Sequence, residues 1–259
     1  MENDEIQNRK PLVTVIMPAY NASQHIAQAI RSVQQQTVSD WEMIILDDCS
    51  SDATVRIVSE ILQTDSRIHL YQNKENMGVA QSRNRGLDLC RSDYVAFLDS
   101  DDIWHPEKLE RQMNCFRQTG ADLVYTSYAI IDMEGKKCCG DFFVPATVSL
   151  DALLKKNVVG CSTVMLNRAA LERYRFQTDF YHEDYVLWLR MLRDGCTMAG
   201  VEEVLVDYRY HVDSRAGNKL SSAGHRWNIY REYLGMKRWK SLWYLAHYAL
   251  AGLKKYRKQ

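Results

Sequence analysis

The chain has 259 residues, 46% of them hydrophobic and 25% charged, the balance of a soluble globular protein with room for one large core and an appendage. Formal net charge is zero, yet ten Lys/Arg and a single acid, Glu232, fall from Asn218 onward, so an acidic body carries a basic tail, and such a body repels nucleic-acid phosphates. Seven scattered cysteines without a C-x-x-C spacing argue against a disulfide framework or a zinc site and for a reducing compartment.

The leader, Met1 to Lys10, is polar and lacks the apolar stretch of a signal peptide. No apolar run approaches the roughly 18 residues of a membrane-spanning helix. Leu12 to Met17 is β-branched and apolar and predicts the first buried strand. Pro18-Ala19-Tyr20-Asn21 ends it, and Ile26, Ala29, Ile30 and Val33 then predict a helix over Ser23 to Gln36. Tyr20, at the strand's carboxyl end, is placed either to stack on a base or to pack at the edge of the core. Glu42 to Leu46 is the second strand, followed by Asp47-Asp48-Cys49-Ser50-Ser51-Asp52 and a helix through Val55, Val58 and Leu62. Ser51 or Asp52 serves as its N-cap, which accounts for one acid of three.

Ile68 to Tyr71 is a third strand. Gly78 then opens a helix carrying Arg83 and Arg85, positioned either for an anion or as solvated surface charge. Tyr94 to Leu98 is the fourth strand, and it runs into Asp99-Ser100-Asp101-Asp102-Ile103-Trp104. Three crowded acids repel one another unless a cation sits between them, and their oxygens suit Mg2+ or Mn2+. The alternative is a solvated acidic turn capping the next helix. Pro106 is expected at that helix's first position, with Leu109, Met113 and Phe116 as its apolar stripe, and Leu123 to Tyr125 is a further strand. The β-α alternation predicts an α/β fold with a Rossmann-like, doubly wound, mostly parallel sheet. Its polar turns then share the carboxyl edge, where such sheets bind ligands.

Beyond Tyr125 the pattern loosens. Met133 to Lys136 predicts a hairpin turn, Leu150 to Lys155 a short helix, and Gly160 to Leu166 a strand preceded by small residues. His182-Glu183-Asp184-Tyr185 opens a mostly buried helix, whose first turn favours ionised acids and so keeps one available as a base. Val201 to Val206 is a strand, followed by His211, a candidate metal ligand, and by a flexible segment whose Arg215 and Lys219 are placed to close over phosphates. In the tail, Trp239, Leu242, Trp243, Ala246, Leu250 and Leu253 share one helical face beside Lys/Arg. That pattern suits an anionic membrane surface, a second copy of the chain, or packing on the body.

Pro18-Ala19-Tyr20-Asn21, Asp47 to Asp52, Gly78 to Gly86, Asp99 to Asp102 and Glu183-Asp184-Tyr185 occur in the order and spacing of family 2 glycosyltransferases. The chain resembles that family over about residues 11–215. The resemblance implies the GT-A fold and inverting transfer from a nucleotide-diphosphate sugar, most often a UDP-sugar, as in assembly of bacterial cell-surface polysaccharides. It implies that Pro18, Tyr20 and Asp48 hold the base and that Arg83 contacts the nucleotide. Asp99 and Ser100 would contact the ribose or sugar, with Asp101 on Mn2+ or Mg2+ and His211 a metal ligand as in some members. Asp184 would deprotonate the acceptor, with Glu183, Trp104 and Arg215 in support. Cys49 stands where glycine is more usual. On this reading residues 1–217 form the catalytic domain and 218–259 a basic, aromatic helical tail. The acceptor is a saccharide or lipid-linked saccharide, and the protein works in the cytoplasm at the inner face of the membrane. A nucleotidyltransferase would need a glycine-rich, basic loop after the first strand, which Pro18 to Asn21 lacks. An inactive sugar-nucleotide-binding scaffold would not need Asp99, Asp101 and Asp184 intact.

Overall fold

The first apolar run becomes β1 (Val13–Ala19). Val13, Val15 and Met17 pack into one buried cluster and Ile16 into another, because successive strand side chains point to opposite faces. The computed structural model describes residues 10–210 and 219–256, with side chains for 10–210 and 223–250. His211 and Arg215 lie outside the described residues. The remaining strands are β2 (Trp41–Asp47), β3 (Ile68–Gln72), β4 (Tyr94–Phe97), β5 (Ile103–Trp104), β6 (Leu123–Ile131), β7 (Met165–Asn167) and β8 (Met198–Arg209). They form one sheet in the order β3-β2-β1-β4-β7-β6-β8-β5.

One face is covered by α1 (Ile26–Gln34), α2 (Thr54–Leu62) and α4 (Lys108–Thr119). The other carries α3 (Val79–Leu89), α5 (Leu150–Lys155), α6 (Arg168–Arg173) and α7 (Glu183–Arg193). On that face α3 comes so close to β1 that a Cβ on Gly86 would lie 2.6 Å from the Ile16 side chain. α4 starts at Lys108, two residues after Pro106, and Pro106 instead offers its carbonyl to Thr37 N–H. α2 has no side-chain cap at its N-cap residue, Ala53. Asp52 instead accepts from the N–H of Thr54 and of Ser23, so it ties the two polar turns together.

The parallel expectation holds for β3, β2, β1 and β4, and again for β6 beside β8. Between these two groups lies β7, antiparallel to both β4 and β6. The predicted strand over Gly160 to Leu166 divides into a 3-10 turn, Cys161–Thr163, and this short β7. β6 extends to Ile131 and enters a hairpin in which Ile131 bridges Lys137 and Tyr128 bridges Phe142.

The C-terminal segment comprises α8 (Lys219–Asn228), a π-helical turn (Ile229–Tyr233) and α9 (Arg238–Tyr256). Ile229, Tyr230 and Tyr244 join the buried cluster of α5 and α7. Tyr230 Oη donates to the Leu154 carbonyl at 2.7 Å, and Tyr244 Oη to Asp151 Oδ1 at 2.9 Å. The opposite side of α9 exposes Trp239 (68%), Leu242 (57%), Trp243 (45%) and Leu250 (58%). Among the described residues no helix is long and apolar enough to cross a membrane.

Candidate active site

A cleft of about 930 Å³ opens along the carboxyl ends of β1, β2 and β4, and Pro18, Tyr20, Asp48, Arg83, Asp99, Ser100, Asp101, Glu183 and Asp184 all line it. Nine of the sequence-predicted site residues are thus brought into one cavity. The tenth described one, Trp104, is buried beneath it.

Tyr20 stands 56% exposed at the lip, which excludes the core-edge alternative. Asp48 is buried with both carboxylate oxygens engaged. Oδ1 accepts from Asn73 Nδ2 at 2.7 Å and from Met77 N–H at 2.8 Å, and Oδ2 accepts from Gly78 N–H at 2.7 Å. The acid after β2 therefore fixes the entry into α3, whose first residues form one wall of the cleft. Gly78 has φ +83°, a left-handed conformation that favours glycine. Cys49, at φ 64°, occupies the same region, which explains why glycine is more usual there. Its Sγ donates to the Asn73 carbonyl at 3.2 Å.

Arg83 crosses the cleft floor. Its Nη1 donates to Glu183 Oε1 and its Nη2 to Asp99 Oδ1, each at 2.6 Å. The guanidinium thus joins the acid after β4 to the start of α7. The sequence reading put Arg83 against the nucleotide; it does line the cleft, and its two ion pairs also hold two site carboxylates in place. Glu183 is buried with Arg83, while Asp184, partly exposed, lines the cleft at the positive end of α7, where the helix dipole favours the carboxylate.

Asp99 is also held from below. Its N–H donates to Ser162 Oγ at 3.1 Å, and the Trp104 indole Nε1 donates to the Ser162 carbonyl at 2.8 Å. The Ser162 role rests on the small-residue run Gly160 to Thr163, which predicts close approach but names no partner. Lys108 lies under the same turn with its Nζ 3.8 Å over the Trp104 ring, and it donates to Gln112 Oε1 at 2.7 Å. Burial pushes that amine well below its ordinary pKa.

Asp102 points away from its neighbours into the protein. Its Oδ1 accepts from Arg209 N–H at 2.8 Å, whereas its buried Oδ2 has no hydrogen-bond partner. Burial first, then Asp101 and Asp99, hold this carboxyl well above the ordinary carboxylate range. Arg209, which sequence reasoning passed over, is 1% exposed. It donates through Nε to the Asp101 carbonyl, through Nη1 to the carbonyls of Asp132 and Met133, and through Nη2 to Gln28 Oε1. The acidic turn is thereby fastened to α1, β8 and the hairpin after β6. Asp99 and Asp101, the two acids of this turn that line the cleft, offer oxygen donors of the kind a hard divalent ion takes. Among the described residues, however, no three His, Cys, Asp or Glu side chains close a metal cage. An ion here would take part of its oxygen shell from the ligand or water, as Mg2+ commonly does.

Comparison with known proteins agrees with this architecture. The sequence model described as Glycosyl transferase family 2 matches residues 14–174. The chain is 36% identical to the putative teichuronic acid biosynthesis glycosyltransferase TuaG of Bacillus subtilis, over 96% of this chain and 98% of that one. It is likewise 36% identical to WfgD of Escherichia coli, described as a UDP-Glc:alpha-D-GlcNAc-diphosphoundecaprenol beta-1,3-glucosyltransferase, over 95% of each chain. Among solved structures, S. aureus TarS in complex with UDP-GlcNAc superposes with a TM-score of 0.74 at 18% identity, covering 94% of this chain and 73% of TarS. The mannosyltransferase PcManGT of Pyrobaculum calidifontis, in complex with GDP-Man and Mn2+, gives 0.69 at 18% identity, covering 97% and 77%. The curled, mostly parallel sheet is that of the GT-A glycosyltransferases, and the chain belongs to glycosyl transferase family 2.

Proposed function

We propose that the protein is an inverting glycosyltransferase that moves a sugar from a nucleotide-diphosphate sugar to a hydroxyl of a lipid-linked saccharide, in assembly of a bacterial cell-surface polysaccharide. The observation that carries the reading is the single cleft joining the turn after β1, the Asp99 to Asp102 turn and Asp184 at the start of α7. In it Tyr20 stacks on the base, Pro18 and the loop fixed by Asp48 wall the nucleotide, and Asp99 with Ser100 meets the ribose or sugar. UDP is favoured because TarS was solved with UDP-GlcNAc and WfgD is named for UDP-Glc. Asp101 would hold Mn2+ or Mg2+, which neutralises diphosphate charge when bound. His211 is a further candidate ligand, and Arg215 a candidate phosphate contact.

Asp184 accepts the proton of the attacking hydroxyl. Attack from the face opposite the leaving diphosphate inverts the anomeric centre in one displacement, so no second carboxylate nucleophile is required. Arg83 holds Glu183 and Asp99 aligned through its two ion pairs, leaving Asp184 as the acid that faces the acceptor side. The lipid-linked acceptor is supported by WfgD, whose name specifies a diphosphoundecaprenol acceptor, and by the exposed Trp239, Leu242, Trp243 and Leu250 on α9. Such a face beside Lys237, Arg238 and Lys240 suits the anionic inner surface of the cytoplasmic membrane. We divide the chain accordingly into residues 1–217 for catalysis and 218–259 for membrane contact.

Thermal stabilisation by UDP, GDP, dTDP and CMP, with and without Mn2+, tests the reading, because a ligand of the native state raises the melting temperature. The expected result is a shift with UDP, enlarged by Mn2+ and reduced to its metal-free size in Asp101→Ala. Asp184→Asn should keep that shift and lose turnover by about 10²-fold or more. Absence of a shift with every nucleotide would refute the assignment.

A further inference from the structure

The cleft has a second end, beyond Asp184, walled by α8 and α9. Arg226 of α8 is 4% exposed and lines the cleft there. Its guanidinium carbon lies 4.0 Å from the ring centroids of both Tyr185 and Tyr248, so the planar group is clamped between two aromatic faces. Its Nε and Nη1 are buried and have no hydrogen-bond partner, while side-chain hydrogen bonds tie the group to Tyr185 and Tyr230. Among the described residues no carboxylate forms an ion pair with it. The two site arginines therefore differ in kind, since Arg83 spends its charge on Glu183 and Asp99.

A buried guanidinium with unmet donors is costly unless an anion meets it. The guanidinium fork matches phosphate oxygens in pairs, and aromatic faces on both sides fix its plane. Lys156, exposed and held 4.4 Å over the Phe142 ring, lines the same cleft. Tyr248, Leu245 and Ala249 come from α9, the helix whose outward side exposes Trp239, Leu242, Trp243 and Leu250. The cation, without an ion pair among the described residues, thus lines the cleft beside the helix that carries the apolar surface. On the transferase reading the donor's diphosphate belongs by Asp101.

We propose that Arg226, assisted by Lys156, is an anion subsite for the acceptor, taking a diphosphate ester that carries the saccharide toward Asp184 and the lipid toward α9. This rests on the transferase reading above and adds to it the group by which the acceptor is held.

The test is calorimetric titration of the whole chain, saturated with UDP and Mn2+ so that the donor end is filled, using geranyl diphosphate, geraniol and inorganic pyrophosphate. The wild type should bind geranyl diphosphate about ten-fold or more tighter than geraniol, as expected for charge-assisted pairing, and more tightly than pyrophosphate. Arg226→Gln and Lys156→Gln should each erase most of that preference with UDP affinity unchanged. If Arg226→Gln fails to fold, Arg226→Lys decides, since loss of the fork should still cut the preference several-fold. A purely structural clamp would lower melting temperature without altering the preference, and that result overturns the proposal. So does a wild type that binds geraniol as well as its diphosphate, or pyrophosphate as well as the ester. Failure of UDP to bind the wild type would instead refute the transferase assignment.

Discussion

Replacing Arg83 with methionine tests the electrostatic frame of the site. The guanidinium is 4% exposed and contacts Glu183, 6% exposed, and Asp99, 34% exposed, each at 2.6 Å. The two contacts are unequal in energy. Asp99 reaches solvent, so its share is screened toward the roughly 0–1 kcal/mol of a surface pair. Glu183 does not, and removing an ion-pair partner of a buried charge costs about 3–5 kcal/mol because the carboxylate stays desolvated. Arg83→Met should therefore lose about 3–5 kcal/mol, a large part of the roughly 5–15 kcal/mol that holds a domain together. Much of that loss is the stranded carboxylate, so Arg83→Met with Glu183→Gln should cost less than the sum of the single changes, by about 1–3 kcal/mol. Equilibrium urea unfolding of the four proteins measures both quantities. A loss under about 1 kcal/mol for Arg83→Met, or strict additivity in the cycle, would refute the bridging role.

Three further outcomes are expected. A Cβ on Gly200 would lie 2.1 Å from the Pro145 carbonyl oxygen, so Gly200→Ala must displace backbone and should lower the urea-unfolding free energy by about 3 kcal/mol; an unchanged midpoint would refute the packing of β8 on that loop. The hydrogen bond that His105 Nε2 donates to Asp207 Oδ1 raises the His105 pKa above 6.5. Its stabilisation is therefore complete below the unfolded-state value and lost as pH rises through the folded one, so wild-type melting temperature should fall more between about pH 6 and 8 than that of Asp207→Asn. Trp239→Glu with Leu242→Glu alters only exposed positions of α9 and should abolish co-sedimentation with anionic vesicles at low salt at unchanged melting temperature; a wild type that stays in the supernatant removes the membrane contact.

The parts of this site that were legible in the sequence are those encoded by neighbours. Apolar runs ending in polar or acidic turns located β1, β2 and β4, and the short helix over Leu150 to Lys155 was found at its observed ends. Partnerships across the chain were not legible. Arg83 meets Glu183 a hundred positions away, and no local pattern distinguishes that from contact with a nucleotide. Arg209 looks like one basic residue in an aromatic stretch, yet four elements depend on it. The direction of β7 was also hidden, because a buried run records burial and not which neighbour it pairs with or which way it runs. Asp48 was legible as an acid at a strand end, but its saturation by Asn73, Met77 and Gly78 depends on a loop conformation set by the fold.

The antiparallel β7 has a consequence for how the chain reaches this structure. β1, β2, β3 and β4 pair through consecutive or near-consecutive crossovers, and β1, β2 and β4 carry the turns with Tyr20, Asp48 and Asp99. Among the described residues the sheet pairing joins the other half to them only where Tyr94 to Ala96 meet Met165 to Asn167, and that half closes its far edge by pairing Ile103 with Asp207. Distant pairings close large loops and form late. The half built from β1 to β4 is thus expected to acquire amide protection first during refolding, with β7 and β8 following. UDP added early would then accelerate appearance of the native state less than it slows unfolding.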